Sequence, residues 1–324
     1  MHNALQVSYQ NCERIARTSG SNFYRSFSLL RPQKRQAMLA LYAYARVIDD
    51  LGDSPKSLNT KLSNSEHGFD SISLHKWIDN LVSNSTKSNC VNHHSIPGEL
   101  SKIQLALNDA VANFDIPLDR LHEMVEGVAM DQVEHVRILD SFAFDRYCYL
   151  VASSVGLACL SIWRGDVTKF KDAAIDCGFA FQLTNIIRDV AEDAKQDRIY
   201  FPTELLESNQ IDQAAWINCA PNGNWEAMLR SQIDRAKALY SSGWRIHPSL
   251  DSDGQRMFSL MWHTYYRLLL KIESNIGSIW TRRTRLGRLE KLQLYFQHAI
   301  TPSYFRFNQD ATNENASVQE AESK

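Results

Sequence analysis

The feature that most constrains this chain is a row of polar side chains in a segment that is otherwise typical of a buried helix. The row falls at i, i+3, i+7 and i+11 in residues 177–201 and comprises Gln182, Asn185, Asp189 and Asp193. Side chains at these spacings share one helix face, and most residues between them are Phe, Leu, Ile or Val. An ionised carboxylate is costly to bury without a counter-charge or a metal. The row therefore predicts a cation at this face.

A second polar row lies in the apolar segment 39–53. Its members fall at i, i+4, i+7 and i+11 and are Tyr42, Arg46, Asp49 and Asp53. Two inward-facing acidic rows in one domain would repel each other unless positive charge lay between them. Hard divalent cations take oxygen ligands, and Mg²⁺ typically binds one or two carboxylates together with waters and substrate phosphates. The two rows predict a site for Mg²⁺, or alternatively Mn²⁺, with coordination positions left for a phosphorylated substrate.

The acidic motif at 49–53 has the pattern DDxxD, which is a weak signal when it stands alone. Acidic pairs at i and i+4 are common on solvated helix faces. Two observations favour a metal-diphosphate site: the helix before the motif is apolar all round, and the second row repeats the carboxylate spacing. The signal therefore depends on the pair of rows rather than on either motif.

Bulk composition bounds the class of protein. The 324 residues are 44% hydrophobic and 22% charged with a net charge of −2, which is ordinary for a globular protein and gives no indication of a nucleic-acid partner. The six cysteines are scattered, so a disulfide framework and structural zinc are not expected. The N-terminus lacks the apolar core of a signal peptide, and no apolar run approaches the roughly 18 residues of a membrane span. We expect a cytoplasmic protein, with contact to a membrane surface left open.

Sparse glycine and proline, 13 and 8 residues, together with helical apolar spacing predict an all-α fold. One helical domain is expected over 1–306, followed by a polar, disordered tail over 307–324. Residues 54–98 are rich in Ser and Asn and predict a surface insertion with one helix, at 74–82. The other predicted long helices are 5–18, a helix opened by Pro32, 100–114, 118–137, 142–163, 170–194, 225–244 and 255–280.

Several side chains near the rows have two interpretations each. Arg46 and Arg188 can form salt bridges within their own helices, or bind diphosphate oxygens in a bidentate fork. Tyr200, just after the second row, can cover the site or serve only packing. The basic segment 282–291 can be a solvated face or a membrane-surface contact, and Arg283 within it can reach a phosphate.

The segment 147–163 is rich in small residues. Small side chains allow close helix packing, and they can also leave a channel for a long apolar tail. In the second case we expect Val151, Val155 and Phe23 to line the channel.

Four stretches resemble motifs of the squalene/phytoene synthase family: SNFYRSFSLL, YAYARVIDDLGD, YCYLVASSVG and QLTNIIRDVAEDAKQDRIYFP. The resemblance implies a single-domain, isoprenoid-synthase-type helical bundle around a central cavity. It implies a transferase that joins two farnesyl or geranylgeranyl diphosphates head to head (1′–1) and releases diphosphate. The product would be presqualene diphosphate, squalene or phytoene, precursors of hopanoids and carotenoids, so downstream isoprenoid enzymes would be partners.

The resemblance also implies roles for residues. Mg²⁺ would be bound by Asp49, Asp53, Asn185, Asp189 and Asp193. The remaining catalytic and substrate-binding residues would be Tyr42, Arg46, Tyr200, Phe23, Phe27, Tyr147, Val151, Val155, Gln182, Arg188, Tyr266 and Arg283. Asp131 also lies in a family-like position, with its role left open.

Two other classes remain as alternatives. A head-to-tail chain-elongating synthase also uses DDxxD, but it shows Phe-Gln-x-x-Asp before a second such motif, where this chain has Asn185. A non-catalytic scaffold relative would be free to lose the carboxylates, which this chain keeps. The sequence leaves open C15 versus C20 substrates, the final product and the use of NADPH.

Overall fold

The computed structural model describes residues 2–19, 22–52, 70–83, 98–133 and 135–300, and within them the fold is almost entirely helical. The helices are α1 (His2–Thr18), α2 (Asn22–Ser26), α3 (Pro32–Gly52), α4 (Ser71–Ser83), α5 (Gly98–Phe114), α6 (Leu118–Met130), α7 (Ser141–Cys148), α8 (Ser154–Ile162), α9 (Val167–Ala194), α10 (Thr203–Ser208), α11 (Gln213–Ile217), α12 (Trp225–Gly243), α13 (Ser252–Glu273) and α14 (Arg288–Ile300). Shorter turns are 3₁₀ at Phe27–Leu29, Trp244–Ser249 and Ile276–Trp280, and π-helical at Tyr149–Ser153. The predicted all-α class is confirmed.

Helix α9 is the central element because it is apolar on nearly every side, which is typical of a helix surrounded by protein. Its N-terminus is capped by Asp166, whose side chain accepts a hydrogen bond from the Lys169 amide. It packs against α12, α8 and the π-helical turn, while α3 packs against α1 and α5. Strands β1 (Val136–Arg137) and β2 (Arg198–Ile199) form a short parallel pair that ties the end of α6 to the end of α9.

Two helix ends and one additional helix differ from the sequence predictions. The helix expected over 118–137 ends at Met130, because the chain turns there toward β1. The helix expected over 255–280 ends at Glu273, since Asn275 leaves helical geometry before the 3₁₀ turn. The basic segment leads into an additional helix, α14, which the prediction lacked.

The range 54–98, expected as a surface insertion, contains α4, and that helix belongs to the core. Leu74, Trp77, Ile78 and Leu81 are buried, and the Trp77 ring stacks on Tyr44 of α3 at 6.0 Å. Its apolar residues at helical spacing are covered by α5 and α6. The rest of that range, and the tail predicted from 307, lie outside the described residues.

A buried ion cluster joins the first turns of α3 and α13. The Lys34 ammonium donates to Asp251 and, at 3.1 Å, to Asp253, whose side chain is fully buried. The same ammonium reaches the carbonyl of Trp163 at 3.4 Å, and the Arg31 amide donates to Asp253 at 2.8 Å. The cluster fixes α13 against α3.

We predict that Lys34→Met lowers the free energy of unfolding by about 3 kcal/mol or more, because it leaves a buried carboxylate without its counter-charge. Arg35→Met is the matched control: that side chain is 42% exposed, and its pair with Glu13 is worth about 1 kcal/mol at most. Urea unfolding of both variants measures the difference. Equal losses for the two would contradict a structural role for the cluster.

Candidate active site

An apolar cavity runs between α3, the π-helical turn, α8, α9 and α13. It holds about 1070 Å³ of space, including the part open to solvent. Along α9 it extends from Asn185 to Ala174, eleven residues, or about 16 Å at the helical rise of 1.5 Å per residue. Leu160, Trp163 and Phe258 also line it.

The π-helical turn shapes one wall of this cavity. Such turns insert an extra residue into a helix and occur frequently at functional sites. Val151 and Ala152 of the turn line the cavity, together with Val155 and Gly156 of α8. Ala152 and Gly156 therefore border open space, as expected for a channel, and Phe27 also lines it. Ser153, Ser154 and Ala158 are instead fully buried, so both interpretations of this segment hold. The side chain of Phe23 lies outside the described part of the structure.

The row on α9 begins inside the cavity and ends beyond it. Gln182 and Asn185 line the cavity wall. The Asn185 side chain contacts the Tyr265 hydroxyl, but its Oδ1 atom is buried and has no hydrogen-bond partner. A buried carbonyl oxygen without a partner is unfavourable. The Asn185 Oδ1 atom is therefore able to accept a hydrogen bond from a bound molecule or to bind a cation.

Asp189 is held by two arginines. Arg188 Nε donates to its carboxylate at 2.7 Å, and Arg283 donates to both carboxylate oxygens at 2.8 Å. Arg283 also pairs with Glu192 at 3.1 Å. The structure thus brings together Arg188, Arg283 and Asp189. The sequence predicted positive charge at this row, and the two guanidinium groups supply part of it.

Asp131 is an additional acid between the two rows. It accepts hydrogen bonds from Tyr200 at 2.9 Å and from Tyr147 at 3.2 Å, and the two tyrosine rings stack at 5.0 Å. Burial raises its pKa to about 6, with a further contribution from the negative charge of Asp49, while Tyr200 and Arg198 oppose the rise. The negative charge of Asp49 on α3 thus acts on Asp131, and the negative charge of Asp131 in turn raises the pKa of Asp193 on α9.

Asp193 is the most perturbed acid of the α9 row. Burial, followed by repulsion from Asp189, raises its pKa to about 7, and Arg198 counters only part of that shift. A carboxyl whose pKa is raised to near 7 by burial and by neighbouring acids is typical of a functional site, because a cation bound beside it would stabilise its ionised form.

The row on α3 lies at the rim of the site. Arg46 pairs with Asp50 and, at 3.1 Å, with Asp49, whose side chain is 54% exposed. The salt-bridge interpretation of Arg46 thus describes the structure, while its role toward a diphosphate stays a prediction. Tyr42 lines the cavity and donates to Ser19 at 2.8 Å. Asp53 lies outside the described residues.

Tyr266 does not lie at the cavity, and its neighbour Tyr265 does. Tyr266 stacks on Trp262 at 4.7 Å and meets Tyr240 edge-on at 5.3 Å. Tyr265 lines the cavity, stacks on Phe181 at 4.7 Å and contacts both Asn185 and Arg188. The two positions are about 100° apart on the helix, which is why only Tyr265 of the two lines this cavity. The substrate-binding role of Tyr266 stays a prediction that this geometry does not favour.

The site offers the oxygen ligands that Mg²⁺ prefers. Asn185, Asp189 and Asp193 follow one another along one face of α9, and Asp49 of α3 is near enough to raise the pKa of Asp131. Among the described residues, no group of three or more His, Cys, Asp or Glu side chains converges tightly enough to hold a metal by itself. Mg²⁺ typically takes one or two carboxylates and completes its coordination with waters and phosphates, and its binding here stays a prediction.

Comparison with known proteins gives the family. The family model for squalene/phytoene synthase matches residues 16–290. The chain belongs to the squalene/phytoene synthase family. It is therefore a prenyltransferase, and head-to-head condensation of prenyl diphosphates is the reaction of this family.

Individual relatives of the squalene/phytoene synthase family agree along most of the chain. A phytoene synthase of Mycobacterium tuberculosis is 31% identical over 294 residues, covering 90% of each protein. One from Arthrospira platensis is 28% identical over 298 residues, covering 88% of this chain and 90% of the relative. A crystal structure of a dehydrosqualene synthase with a ligand has the same fold, with a TM-score of 0.75 at 23% identity over 91% of this chain and 96% of that one.

In the part of the chain that the structure describes, every helix is either too short or too polar to span a lipid bilayer.

We predict that Asp193→Asn stabilises the metal-free protein at neutral and higher pH. The folded state keeps a proton on Asp193 up to a pKa of about 7, whereas the unfolded chain releases it near the ordinary 3.8. The folded state thus binds more protons in this window, so the free energy of unfolding falls as pH rises. The variant removes that loss and gains about 1–3 kcal/mol at pH 8 and none at pH 4.

Urea unfolding in the presence of a chelator, between about pH 4 and 8, measures this effect. Asp234→Asn, at a side chain that is 74% exposed, is the control and should change little. A stability difference between Asp193→Asn and the wild type that stays constant over this range would contradict the raised pKa of Asp193.

Proposed function

We propose that this enzyme carries out a Mg²⁺-dependent head-to-head condensation of two prenyl diphosphates, with geranylgeranyl diphosphate as the first candidate substrate and a phytoene-type product. One observation supports this most: a single apolar cavity leads to a cluster of acids, arginines and an unpartnered amide oxygen. A prenyl diphosphate has the matching two-part chemistry, with a long apolar tail and a polyanionic head.

The arginines act on the leaving group in this proposal. Arg188 and Arg283 already present guanidinium groups to a carboxylate, and the same fork fits diphosphate oxygens. Arg46, now paired with Asp49, is a third such group at the rim. Mg²⁺ held by Asp49, Asp53, Asn185, Asp189 and Asp193 would supply the remaining positive charge as the carbon–oxygen bond breaks.

The cavity wall protects the cation that remains. Once diphosphate leaves, C1 of the first substrate is an allylic cation, and the double bond of the second substrate attacks it. Phe27, Phe181, Val151 and Val155 give an apolar lining. Burial raises the pKa of the Cys159 and Cys177 thiols that also line the cavity, so both stay protonated and are weak nucleophiles. Loss of a proton then gives a cyclopropylcarbinyl diphosphate. Loss of its diphosphate leaves a second cation, which rearranges and loses another proton to give the linear hydrocarbon without a reductant.

Asp131 and the two tyrosines bonded to it lie between the two acidic rows. Tyr147 and Tyr200 donate hydrogen bonds that orient the Asp131 carboxyl. A carboxyl with a pKa near 6 is a suitable group to hold or pass a proton at neutral pH. We assign Tyr147 and Tyr200 to positioning Asp131, and not to the tail channel.

The preference for C20 comes from the relatives. Phytoene synthases match this chain along about 90% of its length. Among the solved structures of similar fold are a dehydrosqualene synthase and a squalene synthase, so farnesyl diphosphate is the competing substrate.

Product analysis tests the proposal. Purified protein is incubated with Mg²⁺ and labelled farnesyl or geranylgeranyl diphosphate, with and without NADPH, and the products are identified by mass spectrometry. The proposal expects phytoene from the C20 substrate without NADPH. Linear elongated diphosphates would indicate a head-to-tail enzyme, and no diphosphate release with either substrate would indicate a scaffold.

We predict that Asp49→Ala and Asp189→Asn each lower turnover about 100-fold or more, because each removes charge that neutralises the leaving group. Asp49 is at the rim, so its loss should leave the fold intact. Asp234→Ala on α12 is the matched control and should keep full activity. Circular dichroism checks the fold, and near-full activity in either site variant would refute the metal assignment.

A further inference from the structure

Helix α14 carries an apolar stripe that faces solvent. Leu289, Leu292 and Phe296 lie at i, i+3 and i+7, and their side chains are 82%, 50% and 51% exposed. These spacings place the three on one face of the helix. Exposed apolar groups are ordinary when scattered, but a row of them on one face indicates an interaction site.

The opposite face of α14 already holds the helix against the protein. Leu294 and His298 are buried, and His298 packs on His263 of α13 with ring centres 4.7 Å apart. Tyr295 shares a hydrogen bond with Ser28 at 2.8 Å, and Glu290 pairs with Lys271 at 2.8 Å. The exposed apolar stripe therefore lies on a different face of α14 from the one that packs against the protein.

Positive charge borders the stripe. Arg285 and Arg288 are exposed at the start of α14, and Lys291 lies one turn on. Partial burial, and then the positive charges of Arg25 and Arg285, lower the pKa of Lys291, so Lys291 lies near two other cations. The only acid of the helix, Glu290, is engaged by Lys271. The rim of the stripe therefore carries net positive charge.

We propose that this face of α14 is a docking site for the surface of an anionic lipid bilayer. A bilayer surface offers both features that the face matches: acyl chains for the leucines and phenylalanine, and negative headgroups for the bordering cations. Helix α14 lies in the interface, and it does not cross the membrane.

The position of α14 relative to the cavity agrees with this assignment. Tyr295 is bonded to Ser28, and the preceding residue, Phe27, lines the cavity. The docking face thus lies on a helix bonded to the segment that forms the cavity wall. The inference goes beyond the proposed reaction and does not depend on which substrate is used.

Vesicle co-sedimentation of the full chain, without substrate, tests the inference. The probes are phosphatidylcholine vesicles with and without phosphatidylglycerol. We expect binding to the anionic vesicles that weakens as salt is raised. The triple variant Leu289→Gln, Leu292→Gln, Phe296→Gln should lower the partition coefficient about tenfold or more. The double variant Arg285→Glu, Arg288→Glu should remove the preference for anionic vesicles.

The control substitutes two exposed apolar residues elsewhere, Ile72→Gln and Leu105→Gln, whose side chains are 65% and 47% exposed. It should bind as the wild type does. Equal binding by the wild type and the triple variant would overturn the proposal, as would the absence of binding by the wild type. A sedimentation coefficient that falls in the triple variant, with no vesicle binding, would assign the face to a second copy of the chain. Because binding is read without turnover, its failure is separable from failure of the proposed reaction.

Discussion

The burial of negative charge is the constraint on which this structure depends. Asp131 and Asp193 are largely withdrawn from water, and burial raises the pKa of each toward neutrality. The negative charge of Asp189 is balanced by Arg188 and Arg283, which both donate hydrogen bonds to its carboxylate. A fold that keeps acids in this condition gives up stability at neutral pH, and it gains a site that binds positive charge strongly.

The architecture supplies that site from elements distant in sequence. α9 forms the central wall and carries acids at one end of the cavity, while α3 brings its own acids to the rim. The link between them is Asp131 at the end of α6, held by the tyrosines of α7 and of the segment after β2. The apolar cavity extends away from this cluster, so charge and hydrocarbon are separated along one axis.

Local sequence patterns predicted the features that are set within a single helix, such as which residues share a face and whether the helix is buried. The spacing of Asp189 and Asn185 identified their shared face, and the apolar surroundings predicted that α9 is buried. Spacing could not locate Asp131, because it ends a helix and meets its partners only through tertiary packing. It also could not choose between Tyr265 and Tyr266, since both lie on a helix with apolar residues on several sides. Helix α14 was missed although its apolar residues recur at helical spacing, because its first residues belong to the basic segment 282–291, which was interpreted by its charge.

Calorimetric titration with inorganic diphosphate, with and without Mg²⁺, is the most direct test of the central claim. If the acidic rows bind diphosphate through the metal, each ligand must strengthen binding of the other by the same factor. We predict that Mg²⁺ tightens diphosphate binding about tenfold or more. An equal dissociation constant with and without Mg²⁺ would show that the arginines alone bind the diphosphate, and the account of the acidic rows would be wrong.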